Sequence, residues 1–173
     1  MKNFSTEKII LGLVGGLTLL AVIFIVIFSA NEQKSIKNQT LIASYQTSDK
    51  AKPKIEVSST FNDLGKMKVK DEKSAEFTIK NTGSKPLILF KVSSSCDCTF
   101  GVVTIDGIKS QEFGMHSKSD WTTSLDPGKT ATLSVIYRPF IMPVSGTITR
   151  DVFVQTNDPE KPKLTFTVKA FVE

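Results

Sequence analysis

The sequence predicts an all-β fold, an antiparallel sandwich of two sheets preceded by a single N-terminal transmembrane helix. Three observations predict it: one charge-free apolar block near the start, apolar residues at every second position through the rest, and turn-forming residues about every dozen positions. Of 173 residues 40% are apolar, with two cysteines and one histidine. That composition excludes a multi-span transporter, a collagen-like or coiled-coil chain and a disulfide-dense mini-protein. The length suits one core of ordinary size.

Residues 1–8 form a short tail. The block Ile9 to Phe28, IILGLVGGLTLLAVIFIVIF, holds sixteen apolar residues, three glycines and one threonine. At 1.5 Å per residue it is long enough to cross about 30 Å of hydrocarbon. A cleaved signal peptide would have a shorter apolar region and small residues at the cleavage positions, so an uncleaved anchor is favoured. The lipid bilayer is therefore the first expected partner. Lysines flank both sides almost equally, Lys2 and Lys8 before the block and Lys34 and Lys37 after it. The asymmetry that orients the chain is a minimal tail against a large domain, and long domains translocate largely regardless of charge. The expected location is the cell membrane, single-pass, with the C-terminal domain extracytoplasmic.

Residues 29–52 are a polar spacer interrupted mainly by Leu41, Ile42 and Tyr45, too little apolar surface for a core. The domain occupies 53–173. Ile55 and Val57 alternate with polar neighbours, then Ala75, Phe77 and Ile79, then Ala131, Leu133, Val135 and Tyr137. Such alternation marks strands with one buried face. Further runs lie at Pro86 to Val92, Phe100 to Ile105, Thr147 to Gln155 and Leu164 to Val172. The turns between them carry Asn81-Thr82-Gly83, Asp106-Gly107, Asp126-Pro127-Gly128 and Asn157-Asp158-Pro159. In these, glycine supplies positive φ, proline presets φ, and Asn or Asp bonds its own backbone. Seven or eight short strands without a long amphipathic helix indicate an antiparallel β-sandwich of immunoglobulin-like type.

The ordered pieces Phe61-Asn62-Asp63-Leu64-Gly65, Phe77-Thr78-Ile79-Lys80-Asn81-Thr82-Gly83, Pro86-Leu87, Cys96-Asp97-Cys98-Thr99, Asp126-Pro127-Gly128 and Thr156-Asn157-Asp158-Pro159 carry a resemblance. From Ile55 to Val172 the chain resembles a bacterial envelope family of unknown function, Ig-like domains grouped with the Hydin and major-sperm-protein type. The resemblance implies a fold and an envelope location but no reaction. The family usually has glycine between its two cysteines where this chain has Asp97. The stretch Gly101 to Ser124 is longer than a minimal member needs, and some members with a similar insertion share Phe113-Gly114-Met115-His116.

Chemistry concentrates in Ser93-Ser94-Ser95-Cys96-Asp97-Cys98-Thr99. In an extended segment Cys96 and Cys98 project from one face with Cα atoms roughly 6.5 to 7 Å apart, at or beyond the limit for a disulfide, so bonding requires a turn at Asp97; a bond so formed should be easily reduced, which suits thiol–disulfide redox better than a structural staple. A second fate is a soft-metal site for Cu(I), with Cys96 and Cys98 as thiolates and His116, Met115 and Met142 completing the shell. A zinc site would more usually show paired Cys or His spacings, and none is present. The third fate is plain packing at a strand end with Met115 and Met142 filling core gaps, and the residue types favour it.

His116, Ser117 and Asp120 contain the residue types of a hydrolase triad, but neighbours in one short loop rarely adopt its geometry. The sequence has no nucleophile elbow, Walker loop or dinucleotide fingerprint, so an enzyme is not expected. The net charge of +5 comes from scattered lysines without interleaved aromatics, which excludes nucleic acid as an expected partner. An envelope protein or polymer is expected instead, met through open sheet edges or through the insertion Gly107 to Thr123 with Phe113, Met115 and Trp121. The competing reading has Phe113 and Trp121 folding back onto the core.

Overall fold

Apolar residues at every second position produce the longest strands of the computed structural model, which describes residues 12–25, 42–117 and 120–173. The chain divides into two compact units, Met1–Leu41 and Ile42–Glu173. In the first, residues 12–25 form a helix about 21 Å long at 1.5 Å per residue. No described helix is long and apolar enough to cross a membrane. The expected transmembrane segment 9–28 extends beyond this helix, and its ends 9–11 and 26–28 lie outside the described residues, as do the tail 1–8 and spacer residues 29–41.

The second unit begins at Ile42, so residues 42–52, expected to be spacer, belong with the sandwich. The Lys52 ammonium pairs with Glu160 at 2.7 Å, and the Lys52 carbonyl accepts a hydrogen bond from the Ser84 amide. A shallow cleft has Ile42 and Tyr45 on one wall and Phe90, Pro159 and Pro162 on the other.

Ten strands follow: β1 (Ile55–Val57), β2 (Phe61–Met67), β3 (Lys73–Asn81), β4 (Leu87–Ser94), β5 (Thr99–Ile105), β6 (Ile108–Lys109), β7 (Thr122–Leu125), β8 (Thr130–Tyr137), β9 (Gly146–Thr156) and β10 (Lys163–Val172). One sheet has the order β1-β3-β8-β5-β6 and the other β2-β10-β9-β4-β7. The expected purely antiparallel arrangement fails at one pair, because β2 runs parallel to β10, with Phe61 opposite Thr167 and Met67 opposite Val172. The chain leaves β1 in the first sheet and passes through residues 58–60 into the second without reversing, which sets the sense of β2.

The inward faces meet in a core where the rings of Phe77 of β3 and Phe166 of β10 pack tilted against each other across the sheets, 5.1 Å between centroids. Ala131, Leu133, Val135 and Tyr137 of β8 are all buried, as their alternation requires. Each such Leu, Val or Phe side chain contributes about 1.5–3 kcal/mol on leaving water, so this face dominates the stability of the sheet pair.

Buried polar side chains tie one end of the sandwich together. Asn81 Nδ2 donates to the Lys85 and Leu125 carbonyls at 2.8 and 2.9 Å. Asn157 Oδ1 accepts from the Ile88 amide, and Asp158 Oδ2 accepts from the Ile55 amide, both at 2.8 Å. The expected turns are therefore also staples between strands. Gly107 and Gly128 do adopt positive φ. Gly83 is required for a different reason, since a Cβ there would sit 2.4 Å from the Lys52 carbonyl oxygen and the Lys54 nitrogen.

Candidate functional site

The opposite end of the sandwich carries the Cys-Asp-Cys motif. β4 belongs to one sheet and β5 to the other, so residues 95–98 are the crossing between them. Approach to this crossing is irregular: the β4 and β9 register shifts between Phe90 and Ser93, and Lys91 takes a φ of 46°, the signature of a bulge that re-aims a strand. The serines then anchor the crossing. Ser95 exchanges two 2.9 Å bonds with the backbone of Asp151 on β9, and Ser94 Oγ donates to the Cys96 carbonyl at 2.7 Å.

The chain turns at Asp97 and Cys98, with the Thr99 amide donating to the Cys96 carbonyl. This brings the two Cα atoms to 5.3 Å, and Cys96 and Cys98 are joined as a disulfide. The distance lies inside the range that an extended segment would have exceeded. Of the three fates open to the pair, bonding is the one the turn permits, combined with burial: Cys98 is wholly buried against Met67, Tyr137, Ile148, Ala170 and Val172, while Cys96 is only partly buried at their margin.

Three groups surround the sulfurs. Arg150 Nε donates to Cys98 Sγ at 3.4 Å. Thr99 Oγ1 lies 3.3 Å from Cys96 Sγ and 3.8 Å from Cys98 Sγ, and the Cys98 amide donates to Cys96 Sγ at 3.3 Å. Burial pushes the neighbouring Tyr137 phenol up from its ordinary pKa, and its hydroxyl has no hydrogen-bond partner among the described residues.

The insertion reaches this end. β6 turns back along β5, Phe113 bridges Gly101 through two 2.9 Å backbone bonds, and His116 Nε2 arrives 3.7 Å from Asp97 Oδ2. Phe113 is fully buried with Trp121 tilted against it at 5.1 Å between ring centroids; these rings cover the core instead of forming a binding loop. Close approach here needs glycine, since a Cβ on Gly101 would lie 2.7 Å from Val152 Cγ1.

Of the residues expected around a soft metal, His116 thus meets the Cys-Asp-Cys turn through Asp97. Met115 and Met142 are 42% and 48% exposed, so neither fills a core gap. Bonded to each other, Cys96 and Cys98 are not thiolates, and Cu(I) ligation would require their prior reduction. Among the described residues no three His, Cys, Asp or Glu side chains gather into a metal-holding group. The triad types do not assemble either: Ser117 Oγ accepts from the Gly114 amide at 2.8 Å, and His116 faces Asp97, not Asp120.

Beside the disulfide, Arg138 leaves β8 with its amide donating to the Cys98 carbonyl at 2.8 Å. Its guanidinium grips Glu112 with two bonds of 2.7 and 2.8 Å, meets Glu72 and stacks over Phe100 at 4.9 Å. Hydrogen bonding to Glu112 and Glu72 holds its pKa above the ordinary value, and Glu112 is correspondingly held below. This clamp fixes the start of a 3₁₀ turn, Pro139–Ile141, in which Pro139 is buried and Phe140 and Ile141 are exposed, followed by exposed Met142. Sequence patterning missed this apolar tip. Its only signal was Phe140-Ile141-Met142 between two prolines, outside any strand period.

No curated protein matches the chain. A protein of unknown function from Porphyromonas gingivalis W83 is similar in structure, with a TM-score of 0.53 and 24% identity over 78% of this chain and 51% of that one. This chain therefore spans about half the length of that protein, and the likeness concerns the fold. The PapD-like domain 7 of human CEP192 is similar at a TM-score of 0.47 and 15% identity, over 77% of this chain and 96% of that one. The family model for the HYDIN/CFA65/VesB-like Ig-like domain matches residues 53–171, the same stretch that forms the two sheets and carries the Cys-Asp-Cys crossing. The chain belongs to the HYDIN/CFA65/VesB-like family of Ig-like domains.

Proposed function

We propose that this chain is a non-catalytic binding or scaffolding module of the cell envelope, anchored in the membrane through 9–28, with the sandwich outside the cytoplasm and an envelope protein as partner. The observation that carries the binding reading is the rigid apolar tip. Phe140, Ile141 and Met142 stand exposed in succession on a turn held by the Arg138 clamp, and a preorganised apolar tip loses little freedom on docking. Sheet edges are a poorer docking surface. β1, β6 and β7 have only three, two and four residues, and β2 carries Asp63, Lys66 and a positive-φ Gly65, devices that discourage strand addition.

Membrane anchoring is supported by the charge-free block and by exposure of Leu13, Val14, Leu17, Leu19, Leu20 and Val22 on the helix, which water would not favour. A disulfide supports an oxidising compartment.

In-cell photo-crosslinking tests the partner reading. A photoreactive residue replacing Ile141 is expected to give a discrete adduct that the same residue at the exposed strand position Glu56 does not. Phe140→Ser with Met142→Ser should abolish it without lowering Tm. Equal adducts from both positions would overturn the reading. For topology, Ala51→Cys should react with a membrane-impermeant thiol reagent in intact cells; labelling only after lysis would contradict the placement.

A further inference from the structure

Thiol–disulfide exchange depends on which of the two sulfurs an incoming thiolate can reach and on how well the other leaves. At the sheet crossing here the two sulfurs differ. Cys96 is only partly buried, beside exposed Asp97, whereas Cys98 is fully buried. Among the described residues the cation hydrogen-bonded to the pair is Arg150, whose Nε points at the buried sulfur at 3.4 Å. Thr99 Oγ1 reaches both sulfurs, at 3.3 and 3.8 Å.

We propose that Cys96–Cys98 is a thiol–disulfide exchange site that accepts electrons from a dithiol, with Cys96 as the attacked sulfur and Cys98 as the leaving sulfur. Exchange requires an incoming thiolate to reach one sulfur while the other departs with the bonding pair, and it runs faster the better the departing thiolate is stabilised. The sulfur of the less buried cysteine, Cys96, is the one open to an outside thiolate. The buried sulfur is the one beside the guanidinium, which at 3.4 Å offers a departing thiolate a countercharge and a hydrogen bond.

The steps balance. One thiolate of the donor bonds to Cys96 Sγ, the bond between Cys96 and Cys98 breaks, and its electron pair remains on Cys98 Sγ beside Arg150 and the Thr99 hydroxyl. The donor's second thiol loses its proton and attacks the donor sulfur held on Cys96. That releases Cys96 as a thiolate and the donor as a disulfide. Two protons from water convert both cysteines to thiols, so the pair gains the two electrons that the dithiol loses. Nothing in this scheme depends on the apolar tip having a partner, and each idea can fail without the other.

The test uses the purified full-length chain in detergent, with dithiothreitol as the dithiol probe, quenching by alkylation and counting alkylated cysteines by mass spectrometry. The native protein is expected to be reduced faster than it unfolds. Arg150→Met should slow native reduction by about three- to tenfold through the poorer leaving thiolate, Arg150→Lys should restore most of the rate, and all three chains should react alike in denaturant. Regiochemistry gives a readout that does not need the Arg150 variants to fold. With glutathione disulfide as probe, Cys98→Ser should take up glutathione on Cys96, and Cys96→Ser should stay unmodified until denatured. Equal native rates for wild type and Arg150→Met would overturn the proposal, as would modification of Cys98 in the native Cys96→Ser chain. Reduction of wild type no faster than its unfolding would do the same.

Discussion

At the scale of single residues, Gly101 and Asn157 sit where the sandwich has no slack. A methyl on Gly101 would lie 2.7 Å from Val152 Cγ1 and 3.2 Å from Val92 Cγ1, both branched side chains with few alternative rotamers. Gly101→Ala is therefore expected to destabilise the domain by about 1–3 kcal/mol, read as a lower urea midpoint at unchanged slope; a neutral result would mean that the sheets separate more easily than their packing implies. Asn157 satisfies the Ile88 amide through Oδ1 and the Pro86 carbonyl through Nδ2. Asn157→Ala removes both part-buried bonds, at about 0.5–1.5 kcal/mol for each, and calorimetry should show a fall in Tm. Asn157-Asp158-Pro159 was legible as a turn. Its role as a staple was not, because the amide and carbonyl it serves lie about seventy residues away and no local spacing reveals them.

At the scale of elements, the strands that read most clearly are those whose alternation survives intact. β3, β8 and β10 each bury every second side chain for most of their length. β2 has no such pattern, only Met67 being fully buried along it, and it is a strand because β10 offers it an open edge. β7 lay hidden inside the insertion for the same reason, its four residues being organised by pairing with β4. The apposition of His116 with Asp97 could not be read either, since it requires β6 to turn back along β5. The Arg138 clamp joins such distant elements, and its pH dependence follows from Glu112. Hydrogen bonding to Arg138 lowers the folded-state pKa of Glu112 below its ordinary 4.5. Its contribution is thus present above pH 4.5 and lost as pH falls through the lowered folded value. Glu112 is partly exposed, so screening keeps this contribution small, about 1 kcal/mol or less. Glu112→Gln should be slightly less stable than wild type at pH 7, and the gap should close on acidification below pH 4.5; a gap that widens in acid would mean the clamp does not hold the carboxylate.

At the scale of the whole molecule, the question is where the folded body begins. The family match starts at residue 53 and the change to strand periodicity suggests the same point, yet the compact unit starts at Ile42. The difference lies in contacts that hydrophobic patterning does not register. The Lys52 carbonyl takes the Ser84 amide, its ammonium pairs with Glu160, and Ile42 and Tyr45 face Phe90 and Pro159 across a cleft. Glu160 is held below its ordinary pKa first by its hydrogen bond to Lys52, but it is exposed, so the ion pair itself counts for little. The Ser84 bond matters more, because Gly83 brings that turn against the backbone of Lys52 to Lys54 so closely that no side chain fits between. Removing 42–52 would take away the Lys52 carbonyl that the Ser84 amide and the Gly83 turn meet, leaving Pro53 and Lys54 in place. A chain of 42–173 is therefore expected to unfold cooperatively and to exceed 53–173 in stability by about 0.5–1.5 kcal/mol, the net worth of one hydrogen bond together with some apolar cover. Indistinguishable denaturation midpoints would return residues 42–52 to the role of a passive tether, and the family boundary at 53 would then also be the physical one.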